Sequence, residues 1–406
     1  MNQAFSALRH PAFRRYWAAQ LLSQSGAWMQ TTAQSWLVYR LTGSALALGA
    51  TWFLPLLPVI PLTLLGGALA DRMPRRRLVI LTQSGLLLQA LLLTLLTASG
   101  AIRVWHIILL EFVLGALGSL DVPARQSLLM ELVGPADLTN AVGLNAAAFN
   151  AARVIGPALA GILIAQVGEA GCFAVNSVSF GAVILTLLFL RLPFPAILER
   201  RGSLGGSMVA GAAYLRSQPL LLRLIGILSL CGLVFAPYVI VPVFAREVLH
   251  VDATGLGLLM AAVGAGAVGG GLLAASSPAS RHVRLLVIAS LLFGLTQIAF
   301  ASSTSLLLAV AFLALGGGAF VTSQALTNAT VQLQTPGELR GRVLAFYALL
   351  TIGAGRLGGL LIGAGASAWG APLALSVGAG LCLLGVAGLA WGMRNPGGHS
   401  QVQRGS

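Results

Sequence analysis

The stretch LVILTQSGLLLQALLLTLLTAS, Leu78–Ser99, decides the fold class of this chain. It is apolar on every side and contains no charged side chain. A helix rises about 1.5 Å per residue, so a run of about 20 apolar residues crosses the hydrocarbon core of a bilayer. The strands of a membrane barrel would alternate between apolar and polar residues instead. We therefore predict a membrane-spanning helix.

Comparable apolar runs recur from one end of the chain to the other. Only 8% of the 406 residues are charged, and the mean hydropathy is +0.90. A soluble domain of this size would need a more highly charged surface. We therefore predict an all-α integral membrane protein. Twelve spans are expected, at roughly 17–39, 44–70, 78–99, 104–124, 141–166, 170–190, 221–245, 254–275, 285–301, 305–327, 342–368 and 371–392.

The distribution of arginine predicts how the spans are oriented. All 24 residues counted as Lys or Arg are Arg, and 19 of them lie in the two tails and the even-numbered connections. Such an excess is typical of the cytoplasmic side, so both termini are expected there. The same placement explains the net charge of +14 without a nucleic-acid-binding face. Residues Met1–Phe13 contain no separate apolar segment, so span 1 is expected to serve as the insertion signal.

The longest polar connection, 192–219, divides the twelve spans into two sets of six. We expect an N-terminal six-helix bundle over 1–191, a C-terminal one over 220–394, and a flexible cytoplasmic tail over 395–406. Within the connection, Met208–Arg216 is a candidate helix on the cytoplasmic membrane surface.

The two halves resemble each other at several points along the sequence. PADLTNAV (Pro135–Val142) is matched 201 positions later by PGELRGRV (Pro336–Val343). Further along, the four residues that begin with Arg153 are matched by the four that begin with Arg356. These matches, taken in order, favour two pseudo-symmetric bundles. Transporters built from paired bundles hold substrate between them near the middle of the membrane.

The connection between spans 2 and 3 reads GGALADRMPRRR, Gly66–Arg77. It resembles the signature loop of the major facilitator superfamily, Gly-x-x-x-Asp-Arg-x-Gly-Arg-Arg, although Pro74 replaces a glycine. The resemblance implies the twelve-helix fold of that superfamily and a latch that holds one conformation. Its residues would be Gly67, Asp71, Arg72 and Arg75, with Asp121 as the acid that pairs with arginine. The alternative is that these arginines only enforce the topology.

Span 5 contains Gly156, Pro157 and Gly161 in a pattern that resembles the Gly-Pro-x-x-Gly-Gly motif of antiporter branches. Small residues there allow close packing against the opposite bundle. The wider stretch Asp121–Gly161 resembles a bacterial subgroup that contains the enterobactin exporter and drug:proton antiporters. The resemblance implies export, but it does not fix the substrate.

Three charged side chains lie deep within predicted spans, far from the span ends. Burial there costs several kcal/mol, so each of them is expected to have a role. Arg153 and Arg356 occupy corresponding places and are candidates for binding an anionic or catechol-like solute. Alternatively, each pairs with a local acid and stabilises its own bundle. Glu111 is the candidate proton carrier, although Gly115 stands where many antiporters of this superfamily carry Arg. A structural pair between Glu111 and Arg153 is the alternative.

Other polar and aromatic side chains are candidates for the wall of the cleft between the bundles. Taken singly, the polar ones are also explained by hydrogen bonds between packed helices, and the aromatic ones by lipid contact. The candidates are Gln24, Asn145, Asn150, Gln324, Tyr238 and Phe346.

No motif indicates an ATP-driven pump, a metal site or an enzyme. Cys172, Cys231 and Cys382 are far apart in apolar runs and are interpreted as small core residues. We expect no cofactor, no nucleic-acid partner and a monomer whose partners are a small-molecule substrate, protons and membrane lipids. The expected location is the bacterial cytoplasmic (inner) membrane.

The leading hypothesis is an exporter of a small organic solute, drug-like or siderophore-like, that exchanges it for protons. An importer of a nutrient or organic anion on the same fold is the second. A membrane sensor or scaffold that transports nothing is the third.

Overall fold

The computed structural model describes residues 3–58, 73–190 and 213–394, and within these ranges the chain is helical and contains no strand. The described helices correspond to the predicted spans in order: Pro11–Thr42 to span 1, Ala45–Phe53 to the start of span 2, Arg75–Ala98 to span 3, Val104–Phe189 to spans 4 to 6, Pro219–Val234 and Pro237–Glu247 to span 7, Ala253–Ala275 to span 8, His282–Ala301 to span 9, Leu306–Gln334 to span 10, Gly337–Trp369 to span 11, and Ala371–Arg394 to span 12.

The 86-residue helix Val104–Phe189 contains three passes. Its backbone leaves helical geometry at Gly134 (φ 73°) and Gly168 (φ 75°), where glycine meets little steric penalty. Eight of the described helices are long and apolar enough to cross a membrane, with Val104–Phe189 counted once. The two extra passes inside it, the more polar span 1 and the partly described span 2 make the architecture consistent with twelve spans.

Two predicted spans differ from the helices observed. The helix of span 4 continues to residue 133, well past the predicted end at 124, and the first break comes at Gly134. Span 7 was expected as one helix, but its backbone is non-helical at Phe235 and Ala236. The reason is Pro237, because proline disfavours the helical conformation in the residue before it and supplies no N–H.

Buried amides connect the helices of the N-terminal bundle. Gln30 of span 1 donates to Gln89 of span 3 (3.2 Å) and accepts from Asn176 of span 6 (2.7 Å). All three are nearly inaccessible to solvent. A buried polar network of this kind fixes the register of its helices, because a lost partner leaves an amide unsatisfied in an apolar interior.

The two bundles meet closely at the end where Gly43 joins spans 1 and 2, called here the Gly43 end. Tyr39 donates a hydrogen bond to Glu247 of span 7, and the Ser367 hydroxyl of span 11 accepts from Leu46 N (2.9 Å). Span 5 approaches span 8 so closely that a Cβ on Gly161 would lie 2.8 Å from a backbone oxygen. The cleft is therefore closed at this end.

An N-terminal 3-10 helix, Gln3–Arg9, docks on the connection between spans 4 and 5. Asp137 accepts hydrogen bonds from Ser6 Oγ (2.5 Å) and pairs with His10 Nε2 (2.8 Å). The backbone N–H of Ala7 donates to Asn140 (3.0 Å). These contacts tie the start of the chain to a connection far away in sequence.

Several predictions fall outside the described residues. They include the tail 395–406 and most of the connection 192–219, of which residues 213–217 are helical. The three cysteines are buried and form no disulfide, as expected of small core residues. The Sγ atoms of Cys231 and Cys382 lie 3.9 Å apart and join spans 7 and 12 within the C-terminal bundle.

Candidate functional site

Three aromatic rings and two guanidinium groups form a stack across the interface between the bundles. Tyr238 lies between Trp28 and Trp52, with ring centroids 5.9 Å and 5.2 Å away and planes inclined by 20° and 22°. The guanidinium of Arg153 lies 5.8 Å from the Trp28 centroid, and that of Arg356 lies 4.1 Å from the Trp52 centroid. Both separations are within the range of cation–π attraction. We call these five side chains the cross-bundle stack.

Both bundles contribute to the cross-bundle stack. Trp28, Trp52 and Arg153 come from spans 1, 2 and 5, whereas Tyr238 and Arg356 come from spans 7 and 11. Tyr238 stands just after the break in span 7, on the second residue of its second helix. The proline-induced interruption therefore sets the direction in which this ring enters the interface.

A small cavity adjoins the stack at Trp52 and Tyr238. Its volume is about 30 Å³, and its lining residues are Thr31, Gln34, Ser35, Leu48, Thr51, Trp52, Glu111 and Tyr238. A water needs roughly 10–15 Å³ in this measure, whereas drug-sized ligands occupy about 300–1,000 Å³. The cavity can hold water but not a drug-sized solute, so the bundles must separate before one can bind there.

Glu111 opens onto this cavity from span 4. Its carboxyl group lines the cavity together with the Gln34 side chain and interacts electrostatically with Arg356 of the opposite bundle. No ion pair between Glu111 and Arg153 is found among the described residues. The alternative of a Glu111–Arg153 pair is therefore not seen in this conformation, because Arg153 turns toward Trp28 instead.

The structure gives a reason for the glycine at position 115. A Cβ on Gly115 would lie 2.6 Å from the carbonyl oxygen of Pro55 in span 2. The backbones of spans 2 and 4 approach too closely there for any larger side chain. The arginine that related antiporters carry has no room in this packing.

The two buried arginines have different partners despite their matching places in the repeat. Arg356 Nη1 donates to the carbonyl oxygen of Trp52 (2.7 Å). Arg153 forms no ion pair with a carboxylate in the described parts of the chain. Its charge is attracted by the Trp28 ring and by the Tyr238 side chain, and its donors can bind a further acceptor.

The other predicted cleft residues are not gathered at this site. Asn150 donates to the carbonyl of Ala146 in its own helix (3.0 Å), and Gln324 is exposed. Phe346 packs on a hydrophobic cluster near Tyr347. Asn145 is half-buried. Gln24 has a buried Oε1 atom without a hydrogen-bond partner in the described structure.

Three residues of the predicted latch, Gly67, Asp71 and Arg72, lie outside the described residues. Arg75 pairs with Glu131 (3.3 Å), and Asp121 is bound by Thr82, Gln83 and Arg125. Because Arg72 lies outside the described residues, the pairing of Asp121 with an arginine of the loop stays a prediction. The helix of span 4 runs beyond the predicted end and places Glu131 within reach.

The small residues of span 5 serve two different interfaces. Gly156 lies against span 1, where a Cβ would come within 2.6 Å of the Ser25 oxygen. Gly161 lies against Gly257 of span 8 in the other bundle. Only the second contact matches the expected packing against the opposite bundle. Pro157 sits between them without leaving helical backbone geometry.

Sequence reasoning missed Trp52 and Glu131. A tryptophan in an otherwise aliphatic run was the available signal for Trp52, but it is equally typical of a lipid-facing side chain. Glu131 was read as part of a connection rather than of a helix. Among the described residues no cluster of three or more His, Cys, Asp or Glu could hold a metal ion.

Similarity to known proteins agrees with this architecture. The family described as transmembrane secretion effector matches residues 2–403. The enterobactin exporter EntS of Citrobacter koseri is 29% identical over 93% of this chain and 91% of its own length. The multidrug efflux pump Tap of Mycobacterium tuberculosis is 29% identical over 87% of both chains. For an uncharacterized MFS-type transporter of Bacillus subtilis, YfiS, 30% identical, the match spans only 52% of that protein.

Solved structures share the fold at low sequence identity. The nucleoside transporter NupG is 12% identical over 94% of this chain and 99% of its own, with a TM-score of 0.77. A bacterial homologue of the human lysosomal transporter Spinster, inward-facing and unoccupied, is 14% identical over 94% and 95%, with a TM-score of 0.71. Fold and relatives are those of transporters and not of enzymes. This chain belongs to the transmembrane secretion effector family of the major facilitator superfamily.

Proposed function

We propose that this chain exports a small organic solute, drug-like or siderophore-like, from the bacterial cytoplasm across the inner membrane in exchange for protons. The observation that carries the proposal is the electrostatic attraction between Glu111 and Arg356, which belong to opposite bundles. Full-length similarity to an enterobactin exporter and a multidrug efflux pump supports the direction of transport.

The arginine distribution supports an orientation with both termini in the cytoplasm. In that orientation the Gly43 end faces away from the cytoplasm. The contacts Tyr39–Glu247 and Leu46–Ser367 close this end, which supports a conformation that is shut toward the outside of the cell. An exporter in this state takes its solute from the cytoplasm.

Glu111 and Arg356 supply a switch that either a proton or a solute can release. As carboxylate and guanidinium they attract each other across the interface and hold the Gly43 end closed. Protonation of Glu111 removes one charge, and an anionic solute bound by Arg356 competes for the other. Because either event frees the bundles to move, solute and proton cross in alternate half-cycles, as exchange requires.

Arg153 is the proposed principal contact for the solute. It carries a full charge within the membrane and has no carboxylate partner among the described residues. Bidentate donation to a carboxylate or catecholate would satisfy it. Gln24, Asn145, Asn150, Gln324 and Phe346 remain candidates for the cleft wall once the bundles separate. Gly67, Asp71, Arg72, Arg75 and Asp121 remain the proposed latch.

Transport assays in an exporter-deleted bacterial host test this function. Cells with the wild-type chain should accumulate less of at least one compound from a panel of anionic and cationic amphipathic solutes. In everted vesicles with an acidic interior, the same compound should dissipate the pH gradient. Glu111→Gln should abolish that dissipation, and Arg153→Ala should restore accumulation.

Three results would contradict the proposal. If cells with and without the wild-type chain accumulate every compound of the panel equally, export is ruled out. A compound that leaves preloaded everted vesicles together with protons would instead favour an importer on the same fold. A chain without any solute-dependent flux would be a sensor or scaffold.

A further inference from the structure

The two tryptophans of the cross-bundle stack form a slot for one flat ring. Trp28 and Trp52 belong to the N-terminal bundle, and the ring between them, Tyr238, belongs to the C-terminal bundle. The three planes are nearly parallel, with inclinations of 20° and 22°. Both centroid separations, 5.9 Å and 5.2 Å, lie within the range of favourable aromatic pairs.

Tyr238 is placed so that it can leave this position. The backbone of span 7 is interrupted at Phe235 and Ala236, directly before the short helix that carries Tyr238. Discontinuous helices of this kind mark binding sites in transporters. When the two bundles move relative to each other during transport, Tyr238 moves with the C-terminal bundle, while both tryptophans stay with the N-terminal bundle.

The space that Tyr238 leaves is bordered by aromatic rings and by a cation. Its walls are two indole rings, and the guanidinium of Arg153 lies 5.8 Å from the Trp28 centroid and interacts electrostatically with Tyr238. The cavity with Glu111 already opens beside the Tyr238 and Trp52 rings. A ligand there gains two stacking faces together with a cation that lacks a carboxylate partner in the described chain.

We propose that Trp28 and Trp52 form a binding slot for a planar aromatic acid, whose ring replaces Tyr238 and whose anionic group binds Arg153. The proposal rests on the transport function above and narrows the solute to this class. Tyr238 then acts as an internal substitute for the solute ring and keeps the slot filled between cycles. A saturated ring of the same size would lose both stacking interactions, because it has no π face.

Binding measurements on the purified full-length protein test the slot. The probes are 2-naphthoate, its saturated counterpart decahydro-2-naphthoate, and the neutral 2-naphthylmethanol, with affinities measured by titration calorimetry. The wild type should bind 2-naphthoate about ten-fold more tightly than the saturated acid, as expected for two stacking contacts. Trp28→Leu and Trp52→Leu should each reduce this preference, whereas Trp28→Phe and Trp52→Phe should retain most of it.

Two controls separate stacking from general effects. Trp391→Leu removes a tryptophan that is 69% exposed and far from the stack in sequence, and it should leave the preference unchanged. Arg153→Leu should weaken 2-naphthoate but not 2-naphthylmethanol. Melting temperatures near that of the wild type show that each variant is folded.

Equal affinity for the aromatic and the saturated acid would overturn the slot, as would an unchanged preference in Trp52→Leu. Failure of every probe to bind would also overturn it. If export of another solute persists in that case, the proposed function stands and only the slot falls. If 2-naphthoate binds with the expected preference while no solute is transported, the slot stands and the proposed function falls.

Discussion

Arg356 of span 11 donates a hydrogen bond from Nη1 to the backbone carbonyl of Trp52 in span 2, 2.7 Å away, and its guanidinium lies 4.1 Å from the ring of the same residue. One side chain thus connects the two bundles through a hydrogen bond and a cation–π contact. Both contacts must break when the bundles separate, so Arg356 stabilises the closed Gly43 end.

Arg356→Gln is expected to shift the conformational equilibrium toward separation at the Gly43 end. The change removes the cation that acts on Glu111 and the guanidinium over Trp52. Thr51 is buried beside the cavity, so a cysteine placed there becomes accessible when the bundles separate. In a background without the native cysteines, Thr51→Cys should react several-fold faster with an impermeant maleimide from outside the cell. With Arg356→Lys, which keeps the charge, the rate of reaction should lie between that of the wild type and that of Arg356→Gln. Identical rates in all three would show that Arg356 does not hold the bundles together.

Glu111→Gln is expected to separate solute movement from proton movement. The amide keeps the shape of the side chain, but it cannot carry a proton. Solute-driven proton flux in proteoliposomes should vanish, while exchange of labelled for unlabelled solute continues. Asp252→Asn is the matched control, because Asp252 caps span 8 through the N–H of Gly255 and Asn caps equally well. Proton flux that survives in Glu111→Gln would assign the carrier elsewhere.

Gly161→Val is expected to block transport by holding spans 5 and 8 apart. A Cβ at this position would lie 2.8 Å from the oxygen of Ala253 and 2.9 Å from the Cα of Gly257. Overpacking of this kind costs about 1–3 kcal/mol in the conformation that contains it. Because the contact belongs to the closed Gly43 end, the variant should fold and yet fail to cycle. Gly118→Ala, which meets nothing within 4 Å, should transport normally. Normal turnover in Gly161→Val would mean that this contact can relax without penalty.

Asp137, in the connection between spans 4 and 5, is expected to make docking of the N-terminal 3-10 helix pH-dependent. Hydrogen bonds from Ser6 and His10 hold the pKa of this carboxyl below its ordinary value. Because this pKa is lower in the folded state, the contacts of Asp137 stabilise the fold fully at a pH above the pKa of the unfolded chain, about 3.9. The stabilisation is lost as the pH falls through the pKa of the folded state. Hydrogen exchange of residues 3–9, corrected for intrinsic rates, should therefore accelerate in strongly acidic solution. Asp137→Ala should show the fast exchange already at pH 7, and a variant as protected as the wild type would exclude this role.

Asp71→Asn is expected to slow transport while leaving the chain folded, if the loop Gly66–Arg77 forms a latch. The loss of charge weakens its attraction to the positive end of a helix dipole. Initial rates in vesicles, normalised to protein inserted in the membrane, measure the effect. Glu131→Gln, which removes the observed partner of Arg75, should slow transport in the same way. Wild-type transport rates in both variants would show that these charges only orient the spans in the membrane.

Much of the architecture could be predicted because lipid imposes a simple rule on composition. Leu78–Ser99 can only be a spanning helix, and most predicted spans lie within observed helices. The prediction of span 7 as one helix was wrong because a proline interrupts the helical backbone, whereas the run around it still has the hydropathy of a spanning helix. The site was predicted less well. Glu111, Arg153 and Tyr238 lie near one another. Gln324, Asn150 and Phe346 have other surroundings in this conformation and stay candidates, since hydropathy does not say which face of a helix meets the cleft.

The sequence by itself determined the membrane helices and the placement of three charges within them, because the cost of burying polar groups in lipid depends on residue type and position along the chain. Only the tertiary structure decided that Arg356 approaches Glu111, that Arg153 lies over Trp28, and that Tyr238 fills the space between two tryptophans. These relationships join residues from different spans. They depend on how helices rotate and approach each other, which is decided by packing contacts such as that between Gly161 and Gly257.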